Sequence, residues 1–171
     1  AGSCDYPLES SVALNIIKGG CVVSNATKGI YYSTIQDAIN EASSGDEVVI
    51  CPGLHEGKLV INKPLTLRSY YDGNNRDYIS STILQPTQGS TAITISSPGV
   101  TLKGFTIEGN VSETGIYTVF TGTDISMIKR NTLFIDNMVL NILARATDLW
   151  SVYVTINNTE ISNPTQVNYI I

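Results

Sequence analysis

Residues 31–67, YYSTIQDAINEASSGDEVVICPGLHEGKLVINKPLTL, read as one amphipathic helix followed by short strands and sharp turns. Ser33 and Gln36 have the spacing of a capping box, in which a hydroxyl and an amide each satisfy an orphan backbone N–H. Ile35, Ala38, Ile39 and Ala42 fall at i, i+3, i+4 and i+7, a single apolar stripe. Gly45 stands where a left-handed C-cap ends such a helix. The spacing predicts a helix over about residues 34–43. Val48–Ile50 is a buried-strand run, and Pro52-Gly53 turns the chain. Leu59, Ile61, Leu65 and Leu67 carry the alternation past a second corner at Lys63-Pro64.

Working outward, the chain after Leu67 makes an excursion over Arg68–Ser81, rich in Tyr, Asp, Asn and Arg. It returns with Ile83-Leu84 and then Ala92–Ile95. Residues 92–110, AITISSPGVTLKGFTIEGN, alternate short apolar strands with a Gly or Asn at each corner. Beyond Gly115, Ile116–Phe120, Asp124–Ile128, Thr132–Ile135, Met138–Leu143, Trp150–Ile156 and Val167–Ile171 are strand-like. Their β-branched content disfavours a second helix. Upstream, Val12, Leu14 and Ile16 alternate as a half-buried strand does. Gly19-Gly20 forms a joint before a strand at Cys21–Ser24. Asn25–Gly29 reads as a polar loop, and Tyr31-Tyr32 as packing for the helix.

The order of helix, strand, Pro-Gly turn, His55-Glu56 and then VINKPLTL resembles the start of the right-handed parallel β-helix proteins. These pectin-lyase-like solenoids include pectinesterases, polysaccharide lyases and periplasmic copper-maturation proteins. The resemblance covers Tyr31 to about Asn110. It implies an all-β, right-handed parallel β-helix with one N-terminal capping α-helix. Residues 1–20 are then an N-terminal extension and 21–171 a single β-helix domain. Such a fold specifies no one activity. A single coil cannot bury its inward side chains, so stability comes from stacked neighbours.

The 171 residues suit one domain with a sizeable core. Charged residues make up only 15%, below the usual ~25%, so Ser, Thr, Asn and Gln supply the polar surface. A net charge of −5 and the lack of a basic patch argue against nucleic acid as a partner. No apolar run is long enough to cross a bilayer. A chain beginning Ala-Gly-Ser-Cys is expected to be a mature chain whose signal segment has been removed, or one with an engineered boundary. Sequons at Asn25, Asn110 and Asn157 add to the expectation of a secreted glycoprotein, while Pro164 excludes Asn163.

Cys4, Cys21 and Cys51 lack the paired spacing of a zinc framework. In an exported protein two pair and one is left over. Cys21 and Cys51 lie on strands flanking the helix, and the crossover should bring those strands side by side. Cys4 is then the spare. Three reduced core cysteines are the alternative.

Chemistry-bearing residues are sparse. Within the resemblance, catalysis on acidic sugars needs paired aspartates with a basic residue, and no such constellation matches here. Asp72, Asp77, Glu108, Glu113, Asp124, Asp136, Asp148 and Glu160 are scattered without repeating spacing. His55 with Glu56 can serve acid–base work, against a structural role at the corner that the resemblance implies for them. As the single histidine, His55 excludes a multi-histidine copper site. No metal or other cofactor is expected. Tyr70, Tyr71, Asp72, Arg76 and Tyr78 can hold a sugar by stacking and hydrogen bonding. The plainer reading is a surface loop held by an ion pair of Arg76 with Asp72 or Asp77.

Three function classes follow: a structural or surface protein, a carbohydrate-binding module, and a polysaccharide lyase or esterase. The sequence favours the first, a non-enzymatic extracellular filament or coat subunit whose partners are copies of itself, with glycans as a further partner class. Its assembly strand is Leu8–Ile17, carrying Val12, Leu14 and Ile16, added to an uncapped coil end at Tyr169-Ile170-Ile171 of a neighbour.

Overall fold

The computed structural model of the chain describes residues 22–109, 113–120, 130–142, 145–149, 152–162 and 166–169. These are mostly β. After a hairpin of β1 (Val23–Asn25) and β2 (Ile30–Tyr32) comes helix α1 (Ile35–Glu41). Five sets of three strands follow. The first set is β3 (Glu47–Val49), β4 (Gly53–Glu56) and β5 (Leu59–Ile61). The second is β6 (Thr66–Arg68), β7 (Thr82–Gln85) and β8 (Thr91–Ile95), with a short helix α2 (Asp77–Ser81) before β7. The third is β9 (Val100–Lys103), β10 (Thr106–Gly109) and β11 (Thr114–Thr118). The fourth is β12 (Thr132–Asp136), β13 (Val139–Ile142) and β14 (Arg145–Leu149). The last is β15 (Tyr153–Asn157), β16 (Glu160–Ser162) and β17 (Gln166–Tyr169).

Each strand of the first four sets pairs in parallel with the strand three places later. Sheet A runs β3-β6-β9-β12-β15, sheet B β4-β7-β10-β13-β16, and sheet C β5-β8-β11-β14-β17. The stacked parallel sheets are compatible with a β-helix. Register makes columns of like side chains. Val48, Leu67, Leu102 and Ile135 form one buried column in sheet A. Leu84, Ile107 and Leu140 form another in sheet B, and Leu59, Ile93 and Ile116 a third in sheet C. Each such Leu or Ile contributes about 1.5–3 kcal/mol by leaving water.

The corner from sheet A to sheet B explains how the columns stay aligned. Lys103, Asp136 and Asn157 are register partners. The residue after each, Gly104, Asn137 and Asn158, has φ of 71°, 51° and 46°. Only Gly, or Asn at modest cost, adopts this conformation readily. Backbone bonds from Gly104 N–H to Asp136 O and from Asn137 N–H to Asn157 O, both 3.0 Å, carry the ladder round the bend. Each turn then sends one large residue inward, Phe105 in one coil and Met138 in the next, both fully buried.

Several local expectations are corrected. The N-cap of α1 is Thr34, whose hydroxyl oxygen accepts from Asp37 N–H, so the cap lies one residue beyond Ser33. The helix ends at Glu41, shorter than the apolar stripe suggests. Residues 30–32 form β2, paired antiparallel with β1, because the Asn25–Gly29 turn brings the chain back. His55 and Glu56 lie within β4 and not at a corner. A second helix, α2, does exist, although five residues are too few for a helical period to be visible. The expected strands at Val12–Ile16 and Asp124–Ile128 lie outside the described residues.

Candidate functional site

The end of the stack beneath α1 carries a shaped surface. A cleft of about 260 Å³ opens between the start of α1 and the corner joining β4 to β5. Ile35, Leu59, Leu84 and Ala92 provide apolar lining, and His55, Glu56 and Lys58 polar lining. The three sheets end differently here. Sheet A is finished by the β1–β2 hairpin, β1 pairing antiparallel with β3. Sheet C is finished by a side chain: Gln36 accepts from Val60 N–H at 2.8 Å and donates to Val60 O at 3.1 Å. The amide stands in for a further strand on the middle residue of β5. Among the described residues, β4 pairs only with β7.

His55 is half-buried and opposite Leu84, at the foot of the sheet B column. Its Nε2 lies 2.9 Å from Cys51 O. A carbonyl can only accept, so Nε2 carries the proton in this arrangement and the ring is tethered to the backbone. His55 and Glu56 make no hydrogen bond to each other among the described residues. Adjacent strand residues point to opposite faces, and Glu56 lies exposed at the rim. The tether and the place in the column give His55 a structural role at the coil end.

The tyrosine-rich excursion is rearranged from its expected form. Tyr71 is 6% exposed and cannot present a ring face to a sugar. It packs beneath Gly104, where an added Cβ would lie 2.7 Å from Tyr71 Cβ. Its backbone N–H donates to Ser69 Oγ at 3.0 Å, and Ser69 Oγ donates to Gly104 O. Tyr70 is partly buried against the core and meets Tyr78 edge to face, with ring centroids 5.8 Å apart. Asp72 closes a local turn by accepting from Asn74 N–H at 2.9 Å. That bond holds its carboxyl below the ordinary aspartate range. Arg76 is exposed and, among the described residues, ion-pairs with neither Asp72 nor Asp77. Of the five residues, Tyr70 and Tyr78 are in ring contact, Tyr71 is buried, and Asp72 and Arg76 are exposed.

A polar constellation missed from sequence joins the hairpin to α1. Asp46 accepts from Asn25 Nδ2 at 2.8 Å and from Ser43 N–H at 2.7 Å, and Lys28 Nζ lies 3.4 Å away. The Asn25 amide above all, then the Ser43 N–H, holds the Asp46 carboxyl below its ordinary range against the opposing effect of desolvation. Asn25 is 0% exposed, with Oδ1 accepting from Lys28 N–H. Its Nδ2, the atom a glycan would occupy, is engaged by Asp46 at this buried site. Asn157 is exposed at the end of β15, and Asn110 lies outside the described residues. Cys51 is buried and disulfide-bonded. Cys4 and Cys21 lie outside the described residues.

Among the described residues no group of three or more His, Cys, Asp and Glu side chains could hold a metal ion, and no helix is long and apolar enough to cross a membrane.

Among the described residues, exposed large apolar side chains are most numerous at the α1 end of the stack. Among the described residues the exposed large hydrophobics are Ile30, Tyr31, Leu54, Val60, Val119, Phe134 and Tyr153. Ile30 and Tyr31 are on β2, Leu54 on β4 and Val60 on β5, the outermost strands at the α1 end. Tyr153 is on β15, outermost at the other. Leu54 is 57% and Tyr153 56% exposed. Inward burial also fades in the last coil. Ile135 and Leu140 are fully buried, while their register partners Ile156 and Ile161 are only partly so. No family model matches the chain, and no curated protein or solved structure matches it.

Proposed function

We propose that this is an extracellular structural protein, a subunit of a filament or coat, built as a right-handed parallel β-helix of the pectin-lyase-like kind. Subunits associate head to tail through the ends of the stack. The observation that carries this reading is that, among the described residues, four of the seven exposed large hydrophobics lie on the outermost strands at the α1 end and Tyr153 on the outermost strand at the other. Side chains such as Leu54, Val60 and Tyr153 gain by leaving water, and an outermost strand is a template for pairing with another chain. Donor and acceptor ends differ, so the contact is heterologous and propagates unless its rotation closes a ring. Residues 8–17, with Val12, Leu14 and Ile16, are the strand given to the next subunit.

The disulfide at Cys51 supports export to an oxidising compartment. Its partner in this reading is Cys21. β1 and β3 pair antiparallel with Ser24 opposite Val49, and the same register puts Val22 opposite Cys51, next to Cys21. Asn157, exposed on β15, is the glycan acceptor that leaves the core intact.

Sedimentation velocity over a hundredfold concentration range tests the reading. The intact chain should form species that grow with concentration, and a chain lacking residues 1–16 should stay monomeric. Identical behaviour of the two would overturn it.

A second reading, glycan binding on the outer face of sheet A, is favoured by one observation. Exposed Phe134 and Tyr153 lie diagonally across a strand pair in which Thr132 faces Tyr153 and Thr155 faces Phe134. Binding of soluble glycans that is lost in Phe134→Ala and Tyr153→Ala would favour it over assembly.

A further inference from the structure

We infer that Gln36 is a gate on sheet C: it withholds β5 from strand pairing with a second copy of the chain. β5 has three residues, and they do not face the same way. Ser96 N–H donates to Ile61 O at 3.0 Å, so Ile61 is turned toward β8. Successive residues of a strand direct their backbone groups to opposite edges. Leu59 therefore faces β8 as well, and Val60 alone faces outward. Gln36 takes both of its groups, accepting from Val60 N–H at 2.8 Å and donating to Val60 O at 3.1 Å. One amide thus closes the whole outer edge of the strand.

The shape of this contact names what it keeps out. Two antiparallel strands exchange both of their bonds at one pair of facing residues. Val60 of a second copy, related by a two-fold axis, would offer Val60 the same donor and acceptor that Gln36 offers. The Val60 side chain is 42% exposed, so such a pair would also bury apolar surface on both copies. It would join two α1 ends in an isologous contact that closes at a dimer.

The gate is held shut. Val60 N–H can only donate, so the side-chain oxygen of Gln36 faces it and the amide nitrogen faces the carbonyl. That nitrogen gives its other proton to Asn40 Oδ1 at 2.9 Å, one turn along α1, which leaves the amide one orientation. The helix beneath is fixed in its turn. Ala38 and Ile39 are fully buried, and Lys63 Nζ donates to Asn40 O at 2.8 Å and to Ala42 O at 2.9 Å. A displaceable placeholder would need none of these restraints. The gate does not rest on the assembly reading above; it bars one rival contact at the α1 end, whatever else meets there.

Sedimentation velocity and amide hydrogen exchange on the intact chain and on Gln36→Ala test the inference, at concentrations where the intact chain sediments as a monomer. Alanine is the better helix former, so α1 persists, and slow exchange at Leu102 and Ile107 reports the folded stack. Gln36→Met, which keeps the apolar stem, stands in if Gln36→Ala fails to fold. The variant should form dimers as concentration rises. When it is diluted to monomer, its Val60 amide should exchange at least about tenfold faster than in the intact chain, and dimerisation should slow it again. Adding Val60→Lys, a charge on the edge, should abolish the dimer. A Val60 amide that stays slow in the monomeric variant, a variant as monomeric as the intact chain, or a dimer that survives Val60→Lys each overturns the inference. If the intact chain stays monomeric at every concentration while the variant dimerises, the gate stands and the assembly reading falls.

Discussion

Replacing Gly104 by alanine should be among the most damaging single-methyl changes in the stack. Gly104 has φ +71°, and an added Cβ would lie 2.7 Å from Tyr71 Cβ, 2.9 Å from Tyr71 Cδ1 and 3.2 Å from Ser69 Oγ. The left-handed conformation costs an alanine about 1–2 kcal/mol. The contact falls on the root of the Tyr71 side chain, so it cannot be relieved by swinging a flexible tip. Such overpacking costs about 1–3 kcal/mol. Together Gly104→Ala should lose roughly 2–5 kcal/mol. Urea unfolding followed by circular dichroism measures this directly. Asn137→Gly at the next corner in the stack, where φ is +51°, is the control and should change stability by less than about 1 kcal/mol. A Gly104→Ala cost below about 1 kcal/mol would mean that Tyr71 is not packed beneath this corner, and the reasoning fails.

Two further outcomes are expected. Thr147 continues the Ile93–Ile116 column, fully buried, with no hydrogen-bond partner for its hydroxyl among the described residues; Thr147→Val should stabilise by about 1 kcal/mol, and a loss in thermal unfolding would count against the burial. Asp46 is held below its ordinary range in the fold, so its stabilising contribution is complete above the ordinary aspartate value of about 3.9. It is lost as pH falls through the lower, folded value. Stability of the native chain should therefore drop more steeply below about pH 4 than that of Asp46→Asn, and equal slopes in acid titrations would remove Asp46 from the account.

How much of this was legible in the sequence follows from the range of each signal. The apolar stripe Ile35, Ala38 and Ile39 is local, and all three are buried. The columns through Leu67, Leu102 and Ile107 were readable as inward positions of short strands for the same reason. β4 was hidden because Gly53-Leu54-His55-Glu56 has no β-branched residue and follows a Pro-Gly pair. The corner role of Asn137 and Asn158 was hidden because asparagine carries no exclusive signature of positive φ. Gln36 looked like half of a capping box, but its partner is Val60, 24 residues on. Tyr71 looked like part of an exposed aromatic loop; its burial depends on Gly104, a coil away. Asn25 read as a loop residue and a sequon, and Asp46 did not stand out, since only the fold brings a hairpin against the end of a helix.

Electron microscopy of the purified intact chain tests the central claim most directly. The account predicts filaments whose axial rise per subunit is about 24 Å, from five stacked coils at about 4.8 Å each, to about 34 Å if the helix layer adds its own thickness. The chain lacking residues 1–16 should yield single particles. Single particles from the intact chain at every concentration, or unchanged filaments from the truncated one, would contradict it.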